Sequence, residues 1–202
     1  PGADFDAHGV CRPCREYSPT SAKQEDEGRA AREADLEAAI ASTRGQGQYD
    51  VLVPFSGGKD SAWMLYKLVV EHKLKVLAFT VDVNIPPVAW KNIRQTLAKL
   101  NIDHITDSPP AELYRKLFAY LLRNQEARGA TYTVSYVYAP LFEGDALQLA
   151  VEKHIPLVMA GYSPGQPEPE RMLYEFSRPL IERTDWTPPQ LRKCGEFTNE
   201  EL

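Results

Sequence analysis

An uninterrupted apolar run, Val51-Leu52-Val53-Pro54-Phe55, passes directly into Ser56-Gly57-Gly58-Lys59-Asp60-Ser61, and a helical pattern follows from about Lys59 to His72. A buried strand that turns at once into a helix is the repeating unit of a parallel sheet covered by helices. Few other architectures accept it. Adjacent glycines at such a turn let backbone N–H groups face inward without Cβ obstruction, and the helix adds its positive N-terminal end. Ser56 and Ser61 bring hydroxyl donors and Lys59 a full positive charge. Asp60 cannot contact a phosphate directly but can hold a Mg²⁺ ion that bridges phosphate oxygens. The spacing excludes two better-known loops. The Gly-x-x-x-x-Gly-Lys-Ser/Thr loop needs four residues between its glycines and a hydroxyl residue after the lysine, and Gly-x-Gly-x-x-Gly is missing after this strand. A plain glycine-rich strand-to-helix turn is the remaining alternative.

The rest of the chain repeats the same alternation. Lys75 to Val81 reads as a second strand, Pro86-Pro87 as the stop before a helix through Trp90, Ile93, Leu97 and Leu100, and His104 to Thr106 as a short third strand. A helix from Ala111 to about Ala127 follows Pro109-Pro110. Tyr132 to Ala139 fits either strand or helix, running into a helical pattern that ends near Lys153, and Ile155 to Gly161 reads as a buried strand. Trp63, Leu65, Leu68 and Val69 are expected to pack the first helix on the sheet. The fold class implied is α/β, an open and mostly parallel sheet with helices on both faces. Four segments are expected: a loop-rich cysteine knuckle at 1–22, a connecting helix at 23–47, the main domain at 48–166 and a Pro-rich tail at 167–202.

A chain of 202 residues with 43% hydrophobic content can bury one proper core. A net charge of −5 lacks the positive field that draws proteins to a phosphate backbone, so a nucleic-acid partner is disfavoured although a local basic patch stays open. Nothing approaches the roughly 20 apolar residues of a membrane helix, and no export signal leads the chain. The expected setting is cytoplasmic. Three cysteines, two of them in Cys11-Arg12-Pro13-Cys14, suit a reducing compartment.

The ordered residues of Ser56-Gly57-Gly58-Lys59-Asp60-Ser61 resemble the Ser-Gly-Gly-x-Asp-Ser loop of the PP-loop ATP pyrophosphatases, a superfamily with the adenine nucleotide alpha hydrolase-like fold. The resemblance spans roughly Asp50 to Gly165 and is firm only at the loop. It implies that Ser56, Gly57, Gly58 and Ser61 hold the phosphates of ATP, that Lys59 stabilises their charge and that Asp60 orients magnesium. It also implies that a substrate oxygen attacks the α-phosphorus, giving an adenylate and pyrophosphate, after which a nitrogen or sulfur nucleophile displaces AMP. The end of the second strand, Thr80-Val81-Asp82, would meet the nucleoside, unless Asp82 instead caps a turn. Gly161-Tyr162-Ser163-Pro164-Gly165-Gln166, at the carboxyl edge of the sheet, either borders the ligand or is a simple turn. Lys116, Arg123 and Arg128 read as a solvated helix face, and His104 and His154 as structural.

Phe5-Asp6-Ala7-His8-Gly9-Val10-Cys11-Arg12-Pro13-Cys14, with Tyr17, is similar to the N-terminal knuckle of the N-acetyl sugar amidotransferase-like group. That resemblance implies nitrogen transfer to a small acceptor such as a nucleotide sugar or a carboxylate or amide metabolite. Ammonia would come from a separate glutaminase or another amine donor. A homodimer is left open. Cys11 and Cys14 make half of a tetrahedral zinc site, and unliganded surface thiols are the alternative. Sulfur-inserting relatives place cysteines where this chain has Thr131-Tyr132-Thr133-Val134-Ser135, and the only other cysteine is Cys194. Nitrogen transfer is therefore the expectation, with a sulfurtransferase and a non-catalytic nucleotide-binding module as rivals.

Overall fold

The computed structural model describes residues 4–16, 19–125, 129, 133, 143–161, 178–183 and 185–201. The chain divides into two compact units, Pro1–Arg44 and Gly45–Leu202. No helix among the described residues is long and apolar enough to cross a membrane.

In the first unit, Phe5 and Cys11 form an antiparallel bridge around a tight turn. Asp6 holds that turn, its carboxylate accepting the N–H groups of His8 and Val10. The Arg15 guanidinium ties the two ends together, donating to the Asp4 carbonyl, the Asp4 carboxylate and the Val10 carbonyl. Helix α1 covers Arg12–Glu16, and α2 covers Pro19–Thr43, so helix begins four residues earlier than the sequence pattern suggests. Proline at a helix start costs little because its missing N–H would have no partner there.

The second unit holds strands β1 (Val51–Pro54), β2 (Val76–Val81) and β3 (Asp103–Asp107), all parallel and in the order β1-β2-β3. On the free side of β1, Leu52 donates its N–H to the Leu157 carbonyl and accepts that of Met159, a parallel bridge centred on Val158. Residues 157–159 thus extend the sheet past β1, a shorter pairing than the Ile155 to Gly161 strand expected. Helices α3 (Lys59–Tyr66), α4 (Pro87–Leu100), α5 (Ala111–Arg123), α6 (143–152), α7 (Arg178–Ile181) and α8 (Pro189–Lys193) complete the described elements.

Strand alternation sorts the core into two layers. Leu52, Leu77, Phe79 and Val81 pack with Ala146 and Ala150 of α6 and with Ile155, and Tyr114 of α5 lies against them. Val51, Val53, Ala78 and Thr80 point the other way and are equally buried. On that second face the Trp90 ring of α4 meets His104 of β3 edge-on, and α3 contacts both α4 and β1. Helices therefore cover both faces, as the alternation predicts. Each buried Leu or Phe contributes roughly 2 kcal/mol through the apolar area it removes from water. At the amino edge the buried Asp50 carboxylate accepts the N–H groups of Gly45 and Lys75, satisfying a charge that would otherwise be costly to bury.

Two local expectations are corrected. Trp63 is 60% exposed and stacks on Tyr66 instead of packing on the sheet. Ser61, Leu65 and Leu68 face inward, and a residue two positions from Ser61 and Leu65 lies on the opposite side of the helix. The helix also does not continue as α to His72, since Lys67–Glu71 is a π turn closed by the His72 N–H on the Lys67 carbonyl at 2.9 Å. The Tyr132 to Ala139 segment, apart from Thr133, lies outside the described residues, as do Thr131, Arg128 and the Tyr162 to Gln166 segment.

The described part of the C-terminal stretch docks on α5. Leu191 and Phe197 bury against Leu117 and Leu121 of α5, while Lys116 pairs with Glu201 at 2.6 Å and Arg123 with Glu196 at 2.7 Å. These two cations belong to the docking of the tail on α5.

Candidate functional site

Residues 56–61 begin where β1 ends, between β2 on one side and residues 157–159 on the other. The chain direction of the crossovers reverses at that point, so a crevice opens at the carboxyl end of β1, the position where open α/β sheets take ligands.

The loop is held from beneath. Phe55 donates its N–H to the Phe79 carbonyl at 2.7 Å, and its own carbonyl accepts the Thr80 hydroxyl at 2.6 Å. That hydroxyl spends its only proton on Phe55, so the His104 ring nitrogen 2.8 Å away must be a protonated Nε2 donating to Thr80 Oγ1. Burial lowers the His104 pKa. The chain His104 to Thr80 to Phe55 crosses the three strands and fixes the residue before Ser56.

Within the loop the two glycines do different things. Gly57 has φ of +75°, and a Cβ there would come within 2.8 Å of Ile93 Cγ1 and 3.0 Å of the Ala89 carbonyl. The fold itself requires that glycine. Gly58 has φ of −77° and caps α3. A Cβ on it would meet only Ser56 Oγ, at 3.4 Å. Glycine is a favoured residue at a helix N-cap, and its bare backbone here also leaves room above the start of α3 for a ligand to approach. Ser61 is 7% exposed, and its hydroxyl donates to the Gly58 carbonyl at 3.2 Å and lies 3.4 Å from Ser56 Oγ. Both hydroxyls therefore gather at the first turn of α3. Lys59 Nζ sits 2.6 Å from Asp60 Oδ1 with both side chains solvent-facing. A lysine so placed is free to swing to an anion, and Asp60 is a single exposed carboxylate of the kind that holds Mg²⁺ together with phosphate oxygens.

Gly161 joins this group, its added Cβ falling 3.8 Å from the Asp60 backbone carbon and from Met64. Thr80 and Val81 do not present side chains to it. They are 1% and 3% exposed, and Thr80 supports the loop through Phe55. Asp82 caps a turn, accepting the Ile85 N–H at 2.9 Å, while its own N–H bonds the Asp107 carbonyl. Asp145, in the first turn of α6, keeps access to solvent, yet the surrounding protein and then the Asp107 carboxylate raise its pKa to about 6.

The cysteine pair does not fit a closed zinc site. Among the described residues no group of three His, Cys, Asp or Glu side chains could hold a metal ion. Both thiols are free, and each perturbs the other: the Cys14 backbone N–H lowers the Cys11 pKa, and the neighbouring Cys11 thiol raises that of Cys14. Structural zinc needs four ligands, and two thiols do not supply them.

A cleft of about 310 Å³ also opens beside the loop, between Gly57-Gly58-Lys59 and the flank of α4 that carries Asn92, Gln95, Thr96 and Lys99. In the sequence alone these four look like an ordinary solvated helix flank. Their spacing at i, i+3, i+4 and i+7 was the available signal.

Fold and site together define an open parallel α/β domain with a donor-rich glycine loop at the carboxyl edge of its central strand. No family model matches the sequence, and no curated protein matches it. Among solved structures, the chain is similar to an NMN synthetase from Francisella tularensis, with TM-score 0.43 and 17% identity over 70% of this chain and 54% of that one. It is also similar to a predicted subunit of tRNA methyltransferase from Methanocaldococcus jannaschii, with TM-score 0.41 and 14% identity over 60% of this chain and 58% of that one. The chain thus spans little more than half the length of either protein. At this distance the likenesses carry no argument about chemistry, which rests on the loop.

Proposed function

We propose that this protein is an ATP pyrophosphatase of the PP-loop type, an enzyme that adenylates a substrate oxygen and then exchanges it for nitrogen. The observation that carries this reading is the bare N-cap glycine Gly58, with open space above it at the head of α3, beside two hydroxyls and an exposed lysine. The Gly58 N–H faces Ser56 Oγ at 3.4 Å, and the N–H groups of the first turn of α3, left without intrahelical partners, are the kind that receive phosphate oxygens. Ser56 and Ser61 add hydroxyl donors, and Lys59 neutralises charge that builds on the departing pyrophosphate. Magnesium held by Asp60 would bridge the phosphate oxygens and share that charge. Placing the acceptor oxygen in line with the α-phosphorus supplies the remaining rate gain.

Nitrogen is favoured over sulfur as the second nucleophile by the position of Cys194. Its thiol donates to the Leu191 carbonyl at 3.0 Å and lies against the α5 and tail cluster, where it serves packing. The knuckle resemblance points the same way, toward the N-acetyl sugar amidotransferase-like group, with a small acceptor and a separate ammonia or amine source. The test is pyrophosphate release from ATP and Mg²⁺ with ammonia and a panel of nucleotide sugars, carboxylates and amides. The reading expects release that depends on one acceptor class. Release with no acceptor dependence, or none in a protein that binds ATP, would favour the non-catalytic module.

A further inference from the structure

Cys11 directly precedes α1 and Cys14 is its third residue, so the two side chains lie one turn apart on the same face. Residues so spaced fall within the Cα separation of about 4.4–6.8 Å that a disulfide spans. Both thiols are free, Cys14 exposed and Cys11 half-exposed, and each shifts the pKa of the other, which requires close approach. The backbone around them is fixed without any bond through sulfur. Phe5 bridges to Cys11, the Arg12 N–H donates to the Asp4 carbonyl at 2.9 Å, the Asp6 N–H donates to the Val10 carbonyl at 3.1 Å, and the Arg15 guanidinium clasps Asp4 and Val10. A turn closed in this way leaves both sulfurs for chemistry. Cys194 provides the contrast, since its half-buried thiol is occupied as a donor to the Leu191 carbonyl at 3.0 Å.

We propose that Cys11 and Cys14 form a thiol–disulfide exchange site that takes low-molecular-weight disulfides and closes to an intramolecular Cys11–Cys14 disulfide. The inference is independent of the ATP reading, because every residue it uses lies in the first compact unit. In the first step Cys11 gives its proton to solvent and its thiolate attacks one sulfur of the incoming disulfide. A mixed disulfide forms on Cys11, the external S–S bond breaks, and one half departs as a thiolate. In the second step Cys14 loses its proton and attacks Cys11 Sγ, forming the protein disulfide and expelling the other half. Two protein thiols are oxidised, one external disulfide is reduced to two thiols, and each departing thiolate regains a proton. The order of attack follows from the surroundings. The Cys14 backbone N–H favours the thiolate of Cys11, while the Cys11 thiol disfavours that of Cys14, which suits Cys14 to the resolving step. Closure by a thiol already one turn away outruns attack by a second external molecule, because the reacting sulfurs are held together in advance.

The test equilibrates the reduced full chain with mixtures of glutathione and glutathione disulfide at neutral pH, quenches with acid, alkylates the remaining thiols and weighs the peptides by mass spectrometry. The proposal expects the peptide holding Cys11 and Cys14 to lose two hydrogens without gaining glutathione, reversibly on adding dithiothreitol, while Cys194 stays reduced. Cys14→Ser should stop at the mixed disulfide on Cys11, and Cys11→Ser should react at Cys14 at least about fivefold more slowly. Separate glutathione adducts on both cysteines with no intramolecular disulfide, disulfides between chains, or Cys194 oxidised as readily as the pair would overturn the proposal. So would about one zinc per chain in the purified protein that shields both thiols from alkylation.

Discussion

Thr80 Oγ1 lies 2.6 Å from the Phe55 carbonyl, a bond between adjacent strands that ends one residue before the glycine loop. Thr80 is also the acceptor for His104, so one buried hydroxyl couples the third strand to the start of the site. Thr80→Val keeps the shape but leaves a buried carbonyl and an imidazole N–H without partners. The expected cost is about 1–3 kcal/mol in urea unfolding, and nucleotide affinity should fall as Phe55 loosens. Thr80→Ser should retain most of both. A Thr80→Val protein as stable as wild type would show that the bond contributes nothing.

Gly57 and Gly58 should respond differently to the same substitution. Gly57→Ala forces a left-handed backbone on alanine and drives its Cβ toward Ile93 and the Ala89 carbonyl, so a loss of at least about 1–2 kcal/mol is expected. Gly58→Ala meets only Ser56 Oγ but removes a favoured N-cap residue, so a loss of about 0.5–1 kcal/mol is expected, smaller than at Gly57, while ATP affinity drops. Equal destabilisation by the two changes would refute the division of labour.

The pH dependence has a definite sign. The folded-state pKa of Asp145 is raised to about 6 from 3.8, so the folded protein favours the protonated acid. The cost of ionising it is absent below pH 3.8, grows between 3.8 and about 6, and is fully present above. Asp145→Asn should stabilise the protein at pH 7 to 8 by up to about 1 kcal/mol, after allowance for solvent screening, and give no gain near pH 4. His104 acts in the other direction. Its pKa is lowered by burial, so stability is lost as pH falls below the ordinary histidine value, and His104→Gln should flatten that acid limb. Denaturant midpoints across pH for both variants measure the two slopes.

Much of this architecture is legible in the sequence because the residues involved answer to local rules. Val51 to Phe55 and Val76 to Val81 are apolar runs too short for helices, Pro87 starts α4, and a glycine pair after a strand needs a reason. What escaped the sequence depends on register. That Thr80 serves Phe55 follows from β2 pairing Phe79 with Pro54, a relation between distant segments. Asp82 could equally have met a ligand, and only the path to Ile85 decides that it caps a turn. Trp63 invites a place in the core through its apolar bulk, but its angular position opposes Leu65. The cleft on α4 was invisible because polar residues on a helix flank look the same whether they face water or a loop.

Lys59 and Asp60 should separate by metal dependence. Asp60→Asn should reduce Mg²⁺-dependent pyrophosphate release by about tenfold or more, with ATP affinity changed much less. Lys59→Gln should lower both, because its charge meets the phosphates whether or not the metal is present. Comparing ATP affinity and turnover over a magnesium titration distinguishes them, and an identical loss of both quantities in both variants would remove the assigned metal role of Asp60.

The central claim is that the loop at 56–61 binds the phosphates of ATP through a backbone left bare at Gly58. Calorimetric titration of Mg²⁺-ATP into wild-type protein and into Gly58→Val tests it directly, because a Cβ there meets only Ser56 Oγ while the side chain fills the space above the amides. The account predicts saturable binding to the wild type and at least about tenfold weaker binding to a Gly58→Val protein that remains folded at the titration temperature. Equal ATP affinity in the two folded proteins, or no ATP binding by the wild type, would contradict it.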